Sequence, residues 1–244
     1  MFDRLILAEI DQLKAQLDAL RPLPKALLNN LREVYDVRLT HNSTAIEGNT
    51  LTQSETQIVL EKGITVSGKS LKDHLEVVNH AQAITFIRDL AQTKESISEW
   101  EIRQIHSLIC RGDAEAGVYR TINVMAAGSD HRYPDHLQVA DLMNQFIHWL
   151  QSPTGLHPVE LASEVHYRFV TIHPFHDGNG RTARLLMNLI LLRFGYPIVV
   201  LKVVERSAYI DRITTWRLGD DAPLKQMIAQ AAKASLEEVL DLAQ

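Results

Sequence analysis

The run Leu185-Leu186-Met187-Asn188-Leu189-Ile190-Leu191-Leu192 constrains the fold more than any other part of the chain. Its apolar residues lie all round a helix and not along one stripe, so the helix has to be enclosed by other elements. Asn188 interrupts the run, and the stretch is far too short for a bilayer, which takes about 20 residues. It therefore reads as the centre of a folded core. Gly178-Asn179-Gly180 opens it, and Gly195 with Pro197 closes it.

The enclosing elements read as helices. Leu5, Ala8, Ile10, Leu13, Leu17 and Leu20 recur at helical spacing until Pro22 and Pro24 stop the pattern. A second helix is expected from near Pro24 toward Ile46, ending at Gly48-Asn49. Thr52-Gln53-Ser54-Glu55 has the form of a capping box opening a third. Val66-Ser67-Gly68-Lys69-Ser70 is a loop; it lacks the first glycine of a phosphate loop. Further helices are expected near 71–91, 98–111, 136–151 and 158–172, the last with Leu161, Val165, Phe169 and Ile172 on one face. The best strand candidate is Tyr119 to Met125, with Ala126-Ala127-Gly128-Ser129-Asp130 as the turn of a small hairpin. Nothing alternates strand with helix, as a parallel sheet would require. The class is all-α with a minor β-hairpin. An N-terminal helical region (1–95) and a core with C-terminal helices (96–244) are expected to form one compact unit.

Composition narrows the partners. With 244 residues, 45% of them apolar, the chain is long enough for a sizeable core. A net charge of −5 disfavours non-specific binding to nucleic acid or an anionic membrane, and no helix-turn-helix with a basic face is apparent. Cys110 is the one cysteine, so no internal disulfide forms. Met1-Phe2-Asp3-Arg4 lacks the order of a signal peptide. The expectation is a soluble, cytoplasmic protein with neither nucleic acid nor membrane as partner.

Chemistry concentrates in His173-Pro174-Phe175-His176-Asp177-Gly178-Asn179-Gly180-Arg181-Thr182-Ala183-Arg184. The glycine turn lets backbone N–H groups converge where the apolar helix starts. Arg181 and Arg184 fall in what reads as its first turn, where cations oppose the helix dipole at about 0.3–1 kcal/mol each. A buried helix start with two guanidiniums is suited to an anion, and a polyphosphate in particular. His173 has the chemistry of a general base for a hydroxyl. Asp177 is the single carboxylate that commonly holds Mg²⁺ beside phosphates. Against this stand blander readings: a lone histidine before Pro-Phe is usually structural, and Gly-Asn-Gly alone is usually a turn. A zinc site through His173 and His176 lacks further ligands at suitable spacing. His106, His131, His136, His148, His157 and His166 read as structural or solvated.

Taken whole, these twelve residues resemble the signature of the Fic family, His-Pro-Phe-x-Asp/Glu-Gly-Asn-Gly-Arg-x-x-Arg, at every fixed position. The similarity runs from about Leu39 to about Tyr209. The resemblance implies a Fic-type helical bundle that transfers AMP from ATP to a hydroxyl of a target protein, or of the chain itself. His173 would deprotonate that hydroxyl, and Asp177 would hold Mg²⁺. Gly178, Asn179, Gly180 and Thr182 would cradle the phosphates, with Arg181 and Arg184 on the outer ones. Val124, Met125, Ala126, Ala127 and Gly128 would form a flap that registers the target by strand addition. Tyr209 matches a position near the nucleotide base, and Arg217 stands where a metazoan member has Asn, which puts the base contact in doubt.

Ser43-Thr44-Ala45-Ile46-Glu47-Gly48-Asn49 resembles the inhibitory motif of family members that carry it ahead of the core. Taken alone, Glu47 is a solvated helix-end acid. With the motif, Glu47, supported by Ser43, would act as a brake. An anion at a helix C-terminus and a cation at a helix N-terminus are each unfavourable; pairing Glu47 with Arg184 relieves both and withholds Arg184 from the nucleotide. Two other readings stay open: removal of AMP or transfer of another phosphate-containing group, and a catalytically silent interaction protein. A two-fold homodimer is the default oligomer.

Overall fold

The computed structural model describes residues 2–93, 95–125 and 131–243. The helices expected from periodicity are present: α1 (Leu5–Ala19), α2 (Lys25–Ile46), α3 (Gln53–Lys62), α4 (Leu71–Gln92), α5 (Glu99–Ile109), α6 (Val139–Gln151) and α7 (Pro158–Ile172). Then come the apolar helix α8 (Asn179–Arg193) and two C-terminal helices, α9 (Arg206–Arg217) and α10 (Ala222–Ala243). Their starts follow local chemistry. Thr52 and Ser98 each close a capping box, with Glu55 and Glu101 respectively. Pro158 sits in the first turn of α7, where its missing N–H costs nothing.

Every residue of α8 from Arg181 to Leu191 is buried. Helices α2, α4, α5 and α7 pack around it, and α10 closes the far side against α1, α7 and α9. One apolar cluster runs through these elements, from Ile6 of α1 to Leu240 of α10. Each fully buried Leu or Ile adds roughly 1.5–3 kcal/mol, so the all-round apolar surface of α8 is what assembles the bundle. Asn188, the polar break in the run, is also buried. It donates to Val199 O and accepts from Val199 N, at 3.0 and 2.7 Å. The following extended segment is thereby fastened to the core helix, and a buried amide is satisfied.

The segment from Tyr119 to Met125 is not a strand. Among the described residues one antiparallel bridge, Met125 to Arg132, is all that forms. The reason is Arg120. Its N–H donates to Pro174 O, and its guanidinium donates to His173 O, Ile122 O and Pro134 O at 2.8, 3.0 and 2.5 Å. The chain here is folded on itself and tied to two other loops, so it is not free to pair along its length. Ala126, Ala127 and Gly128 lie outside the described residues. No helix among the described residues is long and apolar enough to cross a membrane.

Candidate active site

Helix α7 ends at Ile172, and His173 follows with φ 52°, the one non-glycine positive φ among the described residues. Such a conformation stores strain and concentrates at functional sites. The next five residues form a tight loop fixed from inside. Asn179 Oδ1 accepts from Phe175 N at 2.9 Å, and Asn179 Nδ2 donates to Phe175 O at 2.8 Å. Phe175 is fully buried and stacks on His106, centroids 3.6 Å apart. His106 Nδ1 accepts from Gly117 N, so its proton sits on Nε2 and is donated to Asp177 O, both at 2.9 Å. Burial pushes the His106 pKa down to about 4, which keeps the neutral ring that this pattern needs. A Cβ on Gly178 would come within 2.9 Å of Cys110 Sγ, so the loop passes where only glycine fits.

Helix α8 starts at Asn179 with no side-chain cap. The cation beside its start is Arg181, buried and held between two acids: Nη2 donates to Asp177 Oδ2 at 3.0 Å, and Nη1 lies 3.5 Å from Glu76 Oε1. Asp177 also accepts from Gly178 N at 2.6 Å. Partial burial works against its charge, but Arg181 and the Gly178 N–H outweigh that and hold its pKa below the usual carboxylate value. Its side chain stays 61% exposed, open to a further ligand.

Arg184 does not share the first turn; it lies one turn further in and is 1% exposed. Its Nε donates to Ser43 Oγ at 3.0 Å, and Nη2 donates to Ser43 O at 2.7 Å and Glu47 Oε1 at 2.8 Å. Nη1 faces Tyr209 OH at 3.5 Å, and Tyr209 OH in turn lies 2.7 Å from His166 Nε2. Burial opposes the charge of Arg184, but Glu47 beside it keeps its pKa raised. Glu47 reaches this point because α2 ends in a Schellman turn: Asn49 N donates to Thr44 O and Gly48 N to Ala45 O. Gly48, at φ 102°, is the residue that allows it. Gly180 lies directly beneath; a Cβ there would fall 2.3 Å from Glu47 Oε1. Asn49 continues the network, donating to Glu76 Oε2 at 2.9 Å.

The His173 imidazole is half-buried. Its Nδ1 lies 3.3 Å from Val170 O; a carbonyl only accepts, so the proton is on Nδ1 and Nε2 carries the free lone pair. Desolvation, reinforced by Arg120 and Arg217, pushes its pKa down to about 4, so the ring is neutral at pH 7.

The structure thus gathers His173, Asp177, Gly178, Gly180, Arg181, Arg184, Glu47 and Ser43. It gives other roles to three residues that the sequence assigns to the nucleotide. The Asn179 amide is engaged with Phe175. Thr182 directs both its N–H and its hydroxyl at Gly178 O, each at 2.9 Å. Tyr209 is 2% exposed and lies behind Arg184. Of the flap candidates, Met125 is largely exposed and bridges to Arg132. Sequence reasoning read His106 and His166 as structural or solvated, and both are buried, but it did not say what they support; it did not single out Glu76 or Tyr133. The partners of His106 lie 11 and 71 positions away, so no local spacing could have marked it. No group of three or more metal-ligating side chains occurs among the described residues. Asp177 alone fits an ion that takes its other ligands from a bound phosphate and water.

Fold and site together define an all-α protein whose central helix starts, uncapped, at a glycine turn beside a neutral histidine. The chain belongs to the Fic/DOC family, which residues 96–191 match. It is 31% identical to a Fic domain containing signaling protein from Bacteroides thetaiotaomicron, with a TM-score of 0.90 over 96% of this chain and 97% of that one. Fic-1 from C. elegans is 32% identical, with a TM-score of 0.86 over 98% of this chain and 72% of that one. Among curated relatives, the protein adenylyltransferase Fic of Nematostella vectensis is 38% identical over 239 residues, 95% of this chain and 55% of the relative. The chain spans about half the length of the curated relatives it matches.

Proposed function

We propose that this chain is a protein adenylyltransferase that transfers AMP from ATP to a side-chain hydroxyl and is restrained by Glu47. The names of its curated relatives support the activity. The observation that carries the reading is the lock on Arg184: a buried guanidinium in the second turn of α8, next to Gly180, with its Nε and Nη2 donors engaged by the end of α2.

The geometry supports the following course. The phosphates of ATP lie over the Gly178–Gly180 turn and the uncapped start of α8, with Arg181 beside them. The target hydroxyl approaches His173, whose Nε2 takes its proton. The oxygen bonds to the α-phosphorus as the bond to pyrophosphate breaks. Asp177 would hold Mg²⁺, which when bound offsets charge on the leaving group. His106, Phe175 and the Asn179 amide keep the loop in register, since about 1 Å of misplacement can cost on the order of a hundredfold in rate. While Glu47 holds Arg184, the outer phosphates lack that partner and ATP is misaligned. The target segment would lie along Val124 and Met125.

Glu47→Gly is expected to raise incorporation of AMP into the chain, or into a partner in lysate, by tenfold or more (on the order of the misplacement cost above). His173→Ala in that background should abolish it. Mass spectrometry of the labelled peptide reads the group transferred. Unchanged labelling in Glu47→Gly removes the brake, and a mass gain other than AMP removes the adenylyltransferase assignment.

A further inference from the structure

Tyr133 lies flat on His173. The ring centroids are 3.7 Å apart with 17° between planes, about the thickness of two aromatic rings in contact. On the same phenol ring sits the Arg217 guanidinium, 5.5 Å from its centroid. His131 meets the ring edge-on at 4.9 Å. Resting on the transferase reading above, the geometry points to Tyr133 as a positioning residue for His173, a plate backed by Arg217 that fixes the plane of the imidazole while Nε2 works.

The need for such a plate follows from what else touches the imidazole. Among the described residues, the one hydrogen bond to its ring is the 3.3 Å contact to Val170 O. A contact of that length fixes which nitrogen carries the proton but sets the tilt of the ring only loosely. A flat partner removes that freedom. The plate is itself held in register with the base. Arg120 donates through Nε to His173 O at 2.8 Å and through Nη2 to Pro134 O at 2.5 Å, so one guanidinium anchors the backbone of the base and the residue next to Tyr133. Asn123 Nδ2 donates to Asp135 Oδ2 at 3.0 Å and steadies the same loop.

The stack also selects a charge state. The groups facing His173 are Arg120, Arg217, Tyr133 and Val170 O, with Glu47 as the opposing anion. Protonation would set an imidazolium against the same phenol ring that carries the Arg217 guanidinium, with Tyr133 keeping water off the imidazole face. A neutral ring is the form a base requires.

The test uses the Glu47→Gly chain, comparing Tyr133→Ala with Tyr133→Phe. Self-labelling is measured against pH and ATP concentration, and the His173 ring is titrated by NMR. Tyr133→Ala should lower kcat about tenfold with KM for ATP within about twofold, because orientation and not binding is lost. The acid limb of the profile and the NMR titration should both move upward by more than about half a pH unit. Tyr133→Phe, which keeps the plate, should restore both to near the parent. Unchanged kcat and titration in Tyr133→Ala would overturn the assignment. So would a Tyr133→Phe chain as impaired as Tyr133→Ala, since the hydroxyl would then be what matters. If the Glu47→Gly chain labels nothing, the transferase reading fails; an unshifted His173 titration in Tyr133→Ala still rejects the plate.

Discussion

Gly180 shows how one missing methyl group shapes this site. The carboxylate of Glu47 occupies the space a side chain would take, and it can therefore reach Arg184. Gly180→Ala is expected to push Glu47 aside and cost about 1–2 kcal/mol in urea unfolding. In a Glu47→Gly background the same change should cost about 1 kcal/mol less, since the 2.3 Å clash is gone and the close contact left is Arg184 Nη1 at 3.1 Å. Equal costs in both backgrounds would show that the contact does not bear on stability. At this scale much was legible. Arg181 and Glu47 are charges at helix ends whose dipoles oppose them, and the sequence displays that conflict; His173, Asp177 and Arg184 stood out through the twelve-residue signature. Asn179 and Thr182 carry a second role that the spacing did not announce: they bond Phe175 and Gly178, four positions back, and so build the loop. Tyr133 carries no signal, since its ring meets His173 only in three dimensions.

The end of α2 is the element that would set the proposed restraint. Its Schellman turn places Glu47 at the cap, and Asn49 two residues on reaches Glu76. A Cβ on Gly48 would meet nothing within 4 Å, so Gly48→Ala would act through its φ of 102° alone. The expected cost is about 1 kcal/mol, seen as a lower Tm. Labelling should rise several-fold as the turn frays, though less than with Glu47→Gly. A lower Tm with unchanged labelling would separate the turn from the brake. The helices themselves were readable because apolar spacing, prolines and capping residues are local signals. The supposed strand from Tyr119 to Met125 was not. Its β-branched and aromatic content is real, but Arg120 commits the segment to His173, Ile122 and Pro134, the first and last of them distant in sequence. Composition does not encode such ties.

At the scale of the whole molecule, the core behind the site holds neutral histidines. His80 and His166 are fully buried, and desolvation, with Arg184 near both, pushes each down to about 3. An unfolded histidine takes a proton near 6.5, whereas these stay neutral in the folded chain. Their contribution is therefore complete above pH 6.5 and is lost as pH falls toward 3. At pH 5 the loss is roughly 2 kcal/mol for each. Urea unfolding should show a marked drop between pH 7 and pH 5, and His166→Asn should flatten it by about 2 kcal/mol. A pH dependence identical to the parent's would contradict the buried neutral state. Finally, the grip of α2 on Arg184 belongs to the same polypeptide as the site it closes. A tethered carboxylate does not dilute; its local concentration is set by geometry and is the same at every protein level. Whatever diffusible anion competes for that guanidinium must do so by mass action against a constant opponent. The restraint would therefore slacken in proportion to nucleotide supply and stay indifferent to how much of the protein is made.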